Sequence, residues 1–319
     1  MFCFVWMYKT KNNRRVSLRK IISNINLSKA EEVLKSKYKY TPDKPGRPPI
    51  SPTGIFLSFI IMILRMESYR DYHAFLEKHS FWRRILGFKQ TPDIGNYPHF
   101  LNRIGIDTFE QLFQVVVQQL LDEGFLNLHM IAQDGSILEA NLDDKEAGWG
   151  WDHIKEKHVY GYKIHVIVDT KTELPITFSI TKANVHDSKE FQRLYSNTKS
   201  YKTRFPTKIF TADKAFDSTN IRKTLLKDDI QPIIKASKTR IEPRYPLWFL
   251  NKHKKRVAVE RFFSRFKDYL DLKKLGLYGK KNVILYTYFI CIGMLVIGYI
   301  NQCSGYSPRS IKTFFRKFT

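Results

Sequence analysis

The segment LHMIAQDGSILEA, residues 128–140, decides the fold of the second half of this chain. Its apolar residues are typical of a largely buried β-strand, and Asp134 interrupts them near the middle. An isolated ionised carboxylate is costly to bury unless a positive charge pairs with it. The segment therefore predicts a strand that brings one carboxylate to a charged site.

A second carboxylate stands at the end of a second strand. The segment TKIFTADKAFDS, residues 207–218, is rich in β-forming residues up to Asp213, and a helical pattern follows it. If these two strands pair in parallel, Asp213 lies beside Asp134 although the two are remote in sequence. Adjacent carboxylates repel each other, so this arrangement requires cations between them.

The third carboxylate, Glu260, lies in the basic segment HKKRVAVERFFSRFK, residues 253–267. At helical spacing one side carries polar residues, namely His253, Arg256, Glu260 and Lys267. The adjoining side is apolar and carries Val259, Phe262, Phe266, Tyr269 and Leu270. The pattern predicts a helix that packs on the sheet. Alternatively, Glu260 simply pairs with Arg256 on a solvated face, as isolated i,i+4 pairs usually do.

These three carboxylates have the chemistry needed for phosphodiester cleavage. Carboxylate oxygens are the hard ligands that Mg²⁺ prefers, and two divalent ions about 4 Å apart can activate a hydroxyl and stabilise a leaving oxygen. Asp134, Asp213 and Glu260 are therefore candidate metal ligands and catalytic residues. Arg256 and Lys267 are expected to hold phosphates rather than to neutralise these carboxylates.

The segment 253–267 resembles the signature of DDE transposases of bacterial and archaeal insertion sequences, in which Tyr, Arg, Glu and Lys recur at separations of three, four and seven. Arg256, Glu260 and Lys267 match this spacing, whereas His253 occupies the place of the Tyr. YGYKIHVIVDTKTELPITFSITKANVHDS, residues 160–188, is similar to the second and third strands of that family's catalytic domain. The region from Arg47 to Phe100 resembles its N-terminal helices.

The resemblance implies a ribonuclease H-like α/β fold, with a mixed five-stranded sheet flanked by helices and an all-α N-terminal domain before it. It implies that Asp134, Asp213 and Glu260 bind two Mg²⁺ ions, for which Mn²⁺ can substitute. The implied enzyme binds terminal inverted repeats in double-stranded DNA, nicks there, and joins the 3′ hydroxyl to target DNA, as a homodimer on DNA. A catalytically silent DNA-binding remnant or regulator, and a nuclease without strand transfer, are the alternatives.

Charge also favours a polyanionic partner. The net charge is +24, and residues 235–281 alone carry 15 Lys or Arg against four acids. The candidate DNA contacts in this region are Arg256, Lys267, His253, Trp248, Lys254 and Lys255. Trp248 and Tyr245 are able to stack on a base from the duplex end, although such rings more often plug a hydrophobic edge.

The predicted domains are residues 1–125, a helical DNA-binding domain with a basic arm, residues 126–305, the catalytic domain, and residues 306–319, a basic tail. A Pro-rich linker is predicted at residues 41–49, and the turn at Thr91–Asp93 is compatible with a helix-turn-helix. In the catalytic domain, residues 128–140, 161–170 and 174–183 predict a meander, and two parallel strands follow.

Three smaller predictions concern residues between these strands. Asp187 and Glu190 are placed for a capping box on a helix over residues 188–199. His186 is a weaker candidate for contact with the substrate. Trp149 and Trp151 are assigned to the loop after the first strand.

The remaining features favour a soluble enzyme in a reducing compartment. Three cysteines are too few and too widely spaced for a zinc site or a disulfide framework, and they fit a reducing cytoplasm. The family resemblance implies a prokaryotic cell, with the enzyme associated with the nucleoid. The apolar N-terminus has its basic residues on the wrong side for a secretory signal. Residues 283–300 are uncharged and long enough to form a membrane-spanning helix. We expect instead a buried helix that packs on the sheet, and no membrane partner.

Overall fold

The computed structural model describes residues 7–9, 15–17, 28–38, 50–65, 67–153, 155–204, 206–237, 243–269 and 277–311. The predicted linker at residues 41–49, much of the basic arm and the last part of the basic tail lie outside these residues. The chain divides into two compact units. The helical unit comprises Met1–Gln119 with Thr287–Thr319, and the sheet unit comprises Leu120–Tyr286.

The elements follow one another as helices, strands and then alternating strands and helices. The helices are α1 (Ser28–Tyr38), α2 (Pro52–Arg65), α3 (Tyr69–Lys78), α4 (Ser80–Ile85), α5 (Asn96–Ile104), α6 (Ile106–Asp122), α7 (Phe191–Lys199), α8 (Thr219–Lys227), α9 (Leu247–His253), α10 (Val257–Tyr269) and α11 (Lys280–Cys303). The strands are β1 (Met7–Lys9), β2 (Arg15–Ser17), β3 (Met130–Glu139), β4 (Gly148–Asp152), β5 (Lys157–Asp169), β6 (Leu174–Lys182), β7 (Ile209–Ala212) and β8 (Gln231–Ile234).

The N-terminal region is mostly helical, as predicted, but it is not all-α. Strands β1 and β2 pair antiparallel within the segment that the sequence assigns to a basic arm. Each strand has only three residues. Three residues are too few to show the alternation by which a strand is recognised in a sequence.

Aromatic rings form the centre of the helical unit's core. The ring of Phe289, on α11, stacks on Phe59 with centroids 4.2 Å apart and meets Phe109 edge-on at 4.8 Å. Apolar residues recur at helical spacing along α2 and α6, so each helix turns one buried face toward this ring. The helices predicted at these positions are confirmed.

Among the described residues, α11 is the one helix long and apolar enough to cross a membrane by length and composition. Within its apolar window, 83% is buried in protein. Such burial is typical of a core helix. The sequence places this helix against the sheet, whereas from Thr287 onward it belongs to the helical unit. The division into functional domains at residues 125 and 305 stays a prediction.

Helices α4 and α5 do not form the helix-turn-helix with which the sequence is compatible. That motif joins its helices by about three or four residues, whereas residues 86–95 separate these two helices. The connection is fastened to α3, because a ring nitrogen of His73 lies 3.0 Å from the carbonyl oxygen of Pro92. A DNA-reading role for this unit stays a prediction that does not depend on the motif.

A mixed six-stranded sheet forms the centre of the sheet unit. Strand β5 pairs antiparallel with β3, β4 and β6, while β3, β7 and β8 pair in parallel. The predicted meander and the two parallel strands after it are confirmed. The predicted number of five strands is wrong, because β4 adds a sixth.

Strand β4 contains Trp149 and Trp151, which the sequence assigns to a loop. Alternating glycines give this segment a low strand propensity, so the sequence does not predict a strand here. The fold accounts for one of them, because a Cβ at Gly150 would lie 2.5 Å from the carbonyl oxygen of Ala183. Trp149 packs across the strand pair on Tyr160, with ring centroids 5.3 Å apart.

Helix α10 packs on β3 and β5 through its predicted apolar face. Val259, Phe262 and Phe266 are fully buried there. The side chain of Tyr269 and all of Leu270 lie outside the described residues. The buried face directs the opposite side of α10, with Glu260, toward solvent.

A buried ion-pair cluster fixes the position of α10 along its axis. Glu173, in the turn between β5 and β6, is 2% exposed and has a φ of 59°. Its two carboxylate oxygens accept hydrogen bonds from Arg261 and Arg265 of α10, each at 2.9 Å. Arg265 also donates to the Glu173 carbonyl oxygen at 3.0 Å. The hairpin turn thereby holds the helix that carries Glu260.

We expect Glu173→Ala to lower the free energy of unfolding by about 3–5 kcal/mol, because it removes the carboxylate that compensates the buried charge of Arg265. Urea denaturation of variant and wild type measures the difference. Arg261→Ala is the matched control, since the Arg261 side chain is 58% exposed and its loss should cost about 1 kcal/mol or less. Equal losses in the two variants would contradict the role of Glu173.

Candidate catalytic centre

Asp134 and Asp213 lie where two parallel strands diverge. The paired stretch of β3 and β7 ends at Gln133 and Ala212. Asp134 and Asp213 are the next residues on their respective chains. The parallel pairing predicted from the sequence thus places these carboxylates side by side, while their role as metal ligands stays a prediction.

Arg256 bridges Asp134 and Glu260. It closes the 3-10 turn Lys254–Arg256 that leads into α10, and its Nη1 lies 3.0 Å from Asp134 Oδ2 while its Nη2 lies 2.6 Å from Glu260 Oε1. The expected i,i+4 contact with Glu260 is present. In the protein alone Arg256 pairs with these carboxylates, because the guanidinium fork fits between two converging carboxylates. Its expected role at a phosphate stays a prediction.

The electrostatics of Asp134 favour a bound cation. Burial raises the pKa of Asp134 to about 7. The Gly135 N–H, which donates to Oδ1 at 2.8 Å, and the charge of Arg256 lower this pKa, whereas the charges of Asp187 and Asp213 raise it further. Full ionisation at neutral pH therefore needs more positive charge than Arg256 alone supplies.

His253 ends α9 within electrostatic reach of the carboxylates. Burial and then the charges of Arg256 and Lys235 lower the pKa of His253, and Asp213 and Glu260 oppose this shift. Among the described residues nothing hydrogen-bonds its buried Nε2. His253 occupies the position of the Tyr in the signature quoted above. A neutral imidazole with a free ring nitrogen is suited to contact a ligand there.

The other candidate DNA contacts lie around α9 and the turn after it. Trp248 is 50% exposed, and Lys254 and Lys255 are exposed. Tyr245, in contrast, stacks on Phe249 with ring centroids 4.5 Å apart. Of the two rings considered for base stacking, Trp248 is thus available, whereas Tyr245 closes a hydrophobic edge.

Lys267 lies two turns beyond Glu260 on α10, about 10 Å further along the axis. Burial lowers the pKa of Lys267, and the charge of Asp152, at the end of β4, raises it. The side chain therefore lies near β4 rather than with Asp134 and Asp213. Its predicted contact with a phosphate stays a prediction.

Asp187 belongs to this region, although the sequence predicts it as a helix cap. His186 supplies the capping side chain instead. The Asp187 carboxylate lies against β5, with Oδ1 3.0 Å from His165 Nδ1 and Oδ2 3.6 Å from Lys163 Nζ. Burial opposes its ionisation, yet the His165 hydrogen bond and the charge of Lys163 hold the pKa of Asp187 below its usual value. In the sequence, the signal that could have revealed this role of Asp187 was the pair Lys163 and His165, which lie two positions apart on one strand.

Two family models match the chain. The model for the transposase DDE domain matches residues 130–295, just over half of the chain. The chain belongs to this family. A second model, for the transposase domain DUF772, matches residues 7–103. The protein is therefore a DNA transposase of the DDE type, an enzyme that acts on DNA. None of the curated proteins matches it in sequence.

Several solved structures are remotely similar. A piggyBac transposase synaptic complex with hairpin DNA is 12% identical, with a TM-score of 0.43 over 93% of this chain and 76% of that one. The catalytic core domain of BIV integrase is 13% identical, with a TM-score of 0.33 over 60% of this chain and 100% of that one. A Drosophila P element transposase strand transfer complex is 10% identical, with a TM-score of 0.29 over 88% and 71%.

DDE transposases use divalent metal ions, and this centre offers the oxygen donors that such ions prefer. In the described part of the chain no three His, Cys, Asp or Glu side chains approach closely enough to hold an ion together. The guanidinium of Arg256 marks the place where Asp134 and Glu260 already hold a positive charge. The donor set fits a divalent ion once Arg256 withdraws.

We expect Arg256→Ala to bind Mn²⁺ about tenfold more tightly than wild type in the absence of DNA, a gain of about 1.4 kcal/mol. The variant removes a positive charge that competes for the same carboxylates. Loss of the free Mn²⁺ EPR signal during titration measures the affinity. Lys223→Ala removes one exposed positive charge from α8 and should bind as wild type does. Weaker binding in Arg256→Ala would show that Arg256 organises the carboxylates instead of competing for them.

Proposed function

We propose that this transposase binds the terminal inverted repeats of its element, nicks the DNA there to expose a 3′ hydroxyl, and joins that hydroxyl to target DNA. One observation carries the proposal: Asp134 and Glu260 meet at one guanidinium beside Asp213. Binding alone gives no reason to gather three carboxylates next to a basic helix. Hydrolysis and transfer of phosphodiesters do.

Both steps displace a 3′ oxygen from phosphorus. In nicking, a water oxygen bonds to phosphorus and the P–O3′ bond breaks; in joining, the freed 3′ oxygen bonds to a target phosphorus and the target's own 3′ oxygen leaves. Two Mg²⁺ ions, or Mn²⁺ in their place, held by Asp134, Asp213 and Glu260, would activate the attacking hydroxyl and stabilise the leaving oxygen.

The basic and aromatic residues would align the DNA at this centre. Arg256 would leave the carboxylates for a phosphate, because its two nitrogens match phosphate oxygens as well as carboxylate oxygens. His253 would support the same strand, and Trp248 would stack on a base drawn from the duplex end. Further phosphate contacts would come from Lys254, Lys255 and Lys267.

Assembly and location follow from this reaction. The helical unit, with its basic arm, would recognise the terminal repeats and leave the chemistry to the sheet unit. Joining two ends requires two centres, so we infer a homodimer on DNA. The substrate is the cell's own DNA, so the enzyme would work at the nucleoid of a prokaryotic cell.

We expect Asp134→Asn, Asp213→Asn and Glu260→Gln each to abolish Mg²⁺-dependent nicking of a terminal-repeat duplex. DNA affinity should change little, because the carboxylates would serve the metals rather than grip phosphates. Single-turnover cleavage and a binding titration on the same duplex measure the two quantities. Asp228→Asn is a suitable control, since Asp228 pairs with Lys199 at 2.8 Å before β8. Near-wild-type cleavage by one variant would remove that residue from the triad.

The same assay separates the alternatives. Joined products with a target duplex identify strand transfer, whereas nicking without joining identifies a nuclease. Absence of nicking by wild type across a Mg²⁺ and Mn²⁺ titration, with DNA binding retained, identifies a silent DNA-binding remnant. Each outcome other than joining contradicts the proposed function.

We expect affinity for DNA to fall steeply with salt, because phosphate contacts release counterions from the duplex. About six contacts would give a log–log slope near −5. Fluorescence anisotropy with a terminal-repeat duplex over a series of salt concentrations measures the slope. A slope close to zero would contradict binding through the basic surface.

A further inference from the structure

Asp187 lies behind the catalytic centre, on the reverse face of the sheet. Across β3 and β5, Asp134 pairs with Val166 and Gly135 pairs with His165. Side chains alternate along a strand, so His165 and Asp134 face opposite sides of the sheet. Asp187, which contacts His165, therefore lies behind the Asp134–Gly135 peptide rather than in front of it.

Close contacts with Lys163 and His165 hold the Asp187 carboxylate there, and His165 is itself held by Thr181. The Thr181 hydroxyl donates to the carbonyl oxygen of Lys182 at 3.1 Å and thus accepts from Nε2 of His165 at 2.8 Å. The other ring nitrogen, Nδ1, lies 3.0 Å from Asp187 Oδ1. His165 is fully buried, which leaves the pair little freedom to rearrange.

The contact with Gly135 shows how tightly Asp187 is seated. A Cβ at Gly135 would lie 1.9 Å from Asp187 Oδ1 and 3.2 Å from His165 Nδ1. Residue 135 must therefore be glycine for as long as Asp187 holds this position. The backbone N–H of Gly135 donates to Asp134 Oδ1 at 2.8 Å, so the position of this peptide bears directly on Asp134.

The same turn also touches the segment after Asp213. Asp187 begins the 3-10 turn Asp187–Glu190, which packs against the 3-10 turn Lys214–Phe216. Asp213 is the N-cap of that second turn, and its side chain accepts from the Lys214 N–H. One partly buried carboxylate is thus linked to the backbone beside both aspartates.

We propose that Asp187, held by His165 and Lys163, is a positioning residue of the catalytic centre. It supports the Asp134–Gly135 peptide from behind and the turn after Asp213 from the side, so that the two carboxylates face the same ion-binding place. This inference rests on the proposed function only in taking Asp134 and Asp213 as metal ligands.

Two variants test the proposal by Mn²⁺ binding to the full chain without DNA, followed by the EPR signal of free Mn²⁺. Asp187→Asn keeps the size of the side chain and removes its charge, and we expect about tenfold weaker binding. Gly135→Ala keeps every charge and displaces Asp187, and we expect a comparable loss. Asp228→Asn, an acid-to-amide change at the opposite end of β8 from the centre, should bind as wild type does.

Gly135→Ala separates positioning from simple loss of negative charge. If it folds and binds Mn²⁺ as wild type does, the proposal is overturned, even if Asp187→Asn binds weakly. Urea midpoints add a check that needs no metal: Gly135→Ala should lower the midpoint in the wild-type background and leave it unchanged in an Asp187→Ala background. Equal decreases in both backgrounds would also overturn the proposal. Failure of wild type to bind Mn²⁺ would instead count against the proposed function.

Discussion

The parallel pairing of β3 with β7 is the constraint on which the catalytic centre depends. The ladder ends at Gln133 and Ala212, so the next residue of each chain leaves the ladder at the same edge of the sheet. A slip of one residue would place Gln133 or Gly135 where Asp134 now faces the centre, because side chains alternate along a strand. Backbone hydrogen bonds, which any sequence can form, thus determine which two side chains meet.

Glu260 reaches the same place by a different kind of contact. The apolar face of α10, with Phe262 and Phe266, fixes which side of the helix meets the sheet, but apolar contacts tolerate sliding along the axis. The bonds from Arg261 and Arg265 to Glu173 have defined lengths and directions and so oppose such sliding. Apolar residues of similar size would stabilise the protein as well or better. The cluster is therefore best understood as a device for alignment.

Features that lie within one secondary-structure element could be predicted from the sequence, whereas features that arise from contacts between elements could not. Asp134 and Asp213 could be predicted because each interrupts or ends a recognisable strand, and strand order follows from the right-handed crossover rule. Strand β4 was lost because Gly150 fits a contact with Ala183 that no local pattern records. Asp187 was lost for the same reason. Its partner His165 lies on β5, remote in the sequence, and the capping pattern around Asp187 was enough to explain an acidic residue at this position.

Arg256 shows how charge connects the two ligands that this centre is proposed to bind. Asp134 and Glu260 repel each other, and in the protein alone Arg256 supplies the positive charge between them. A DNA phosphate competes for the same guanidinium, and a divalent ion competes for the same carboxylates. If Arg256 moves to the phosphate, the carboxylates lose their counter-charge and their affinity for metal rises. Because coupling between two binding equilibria is reciprocal, bound metal must then raise the affinity for DNA by the same factor. A single side chain would thereby make metal binding tighter in the DNA-bound enzyme than in the protein alone.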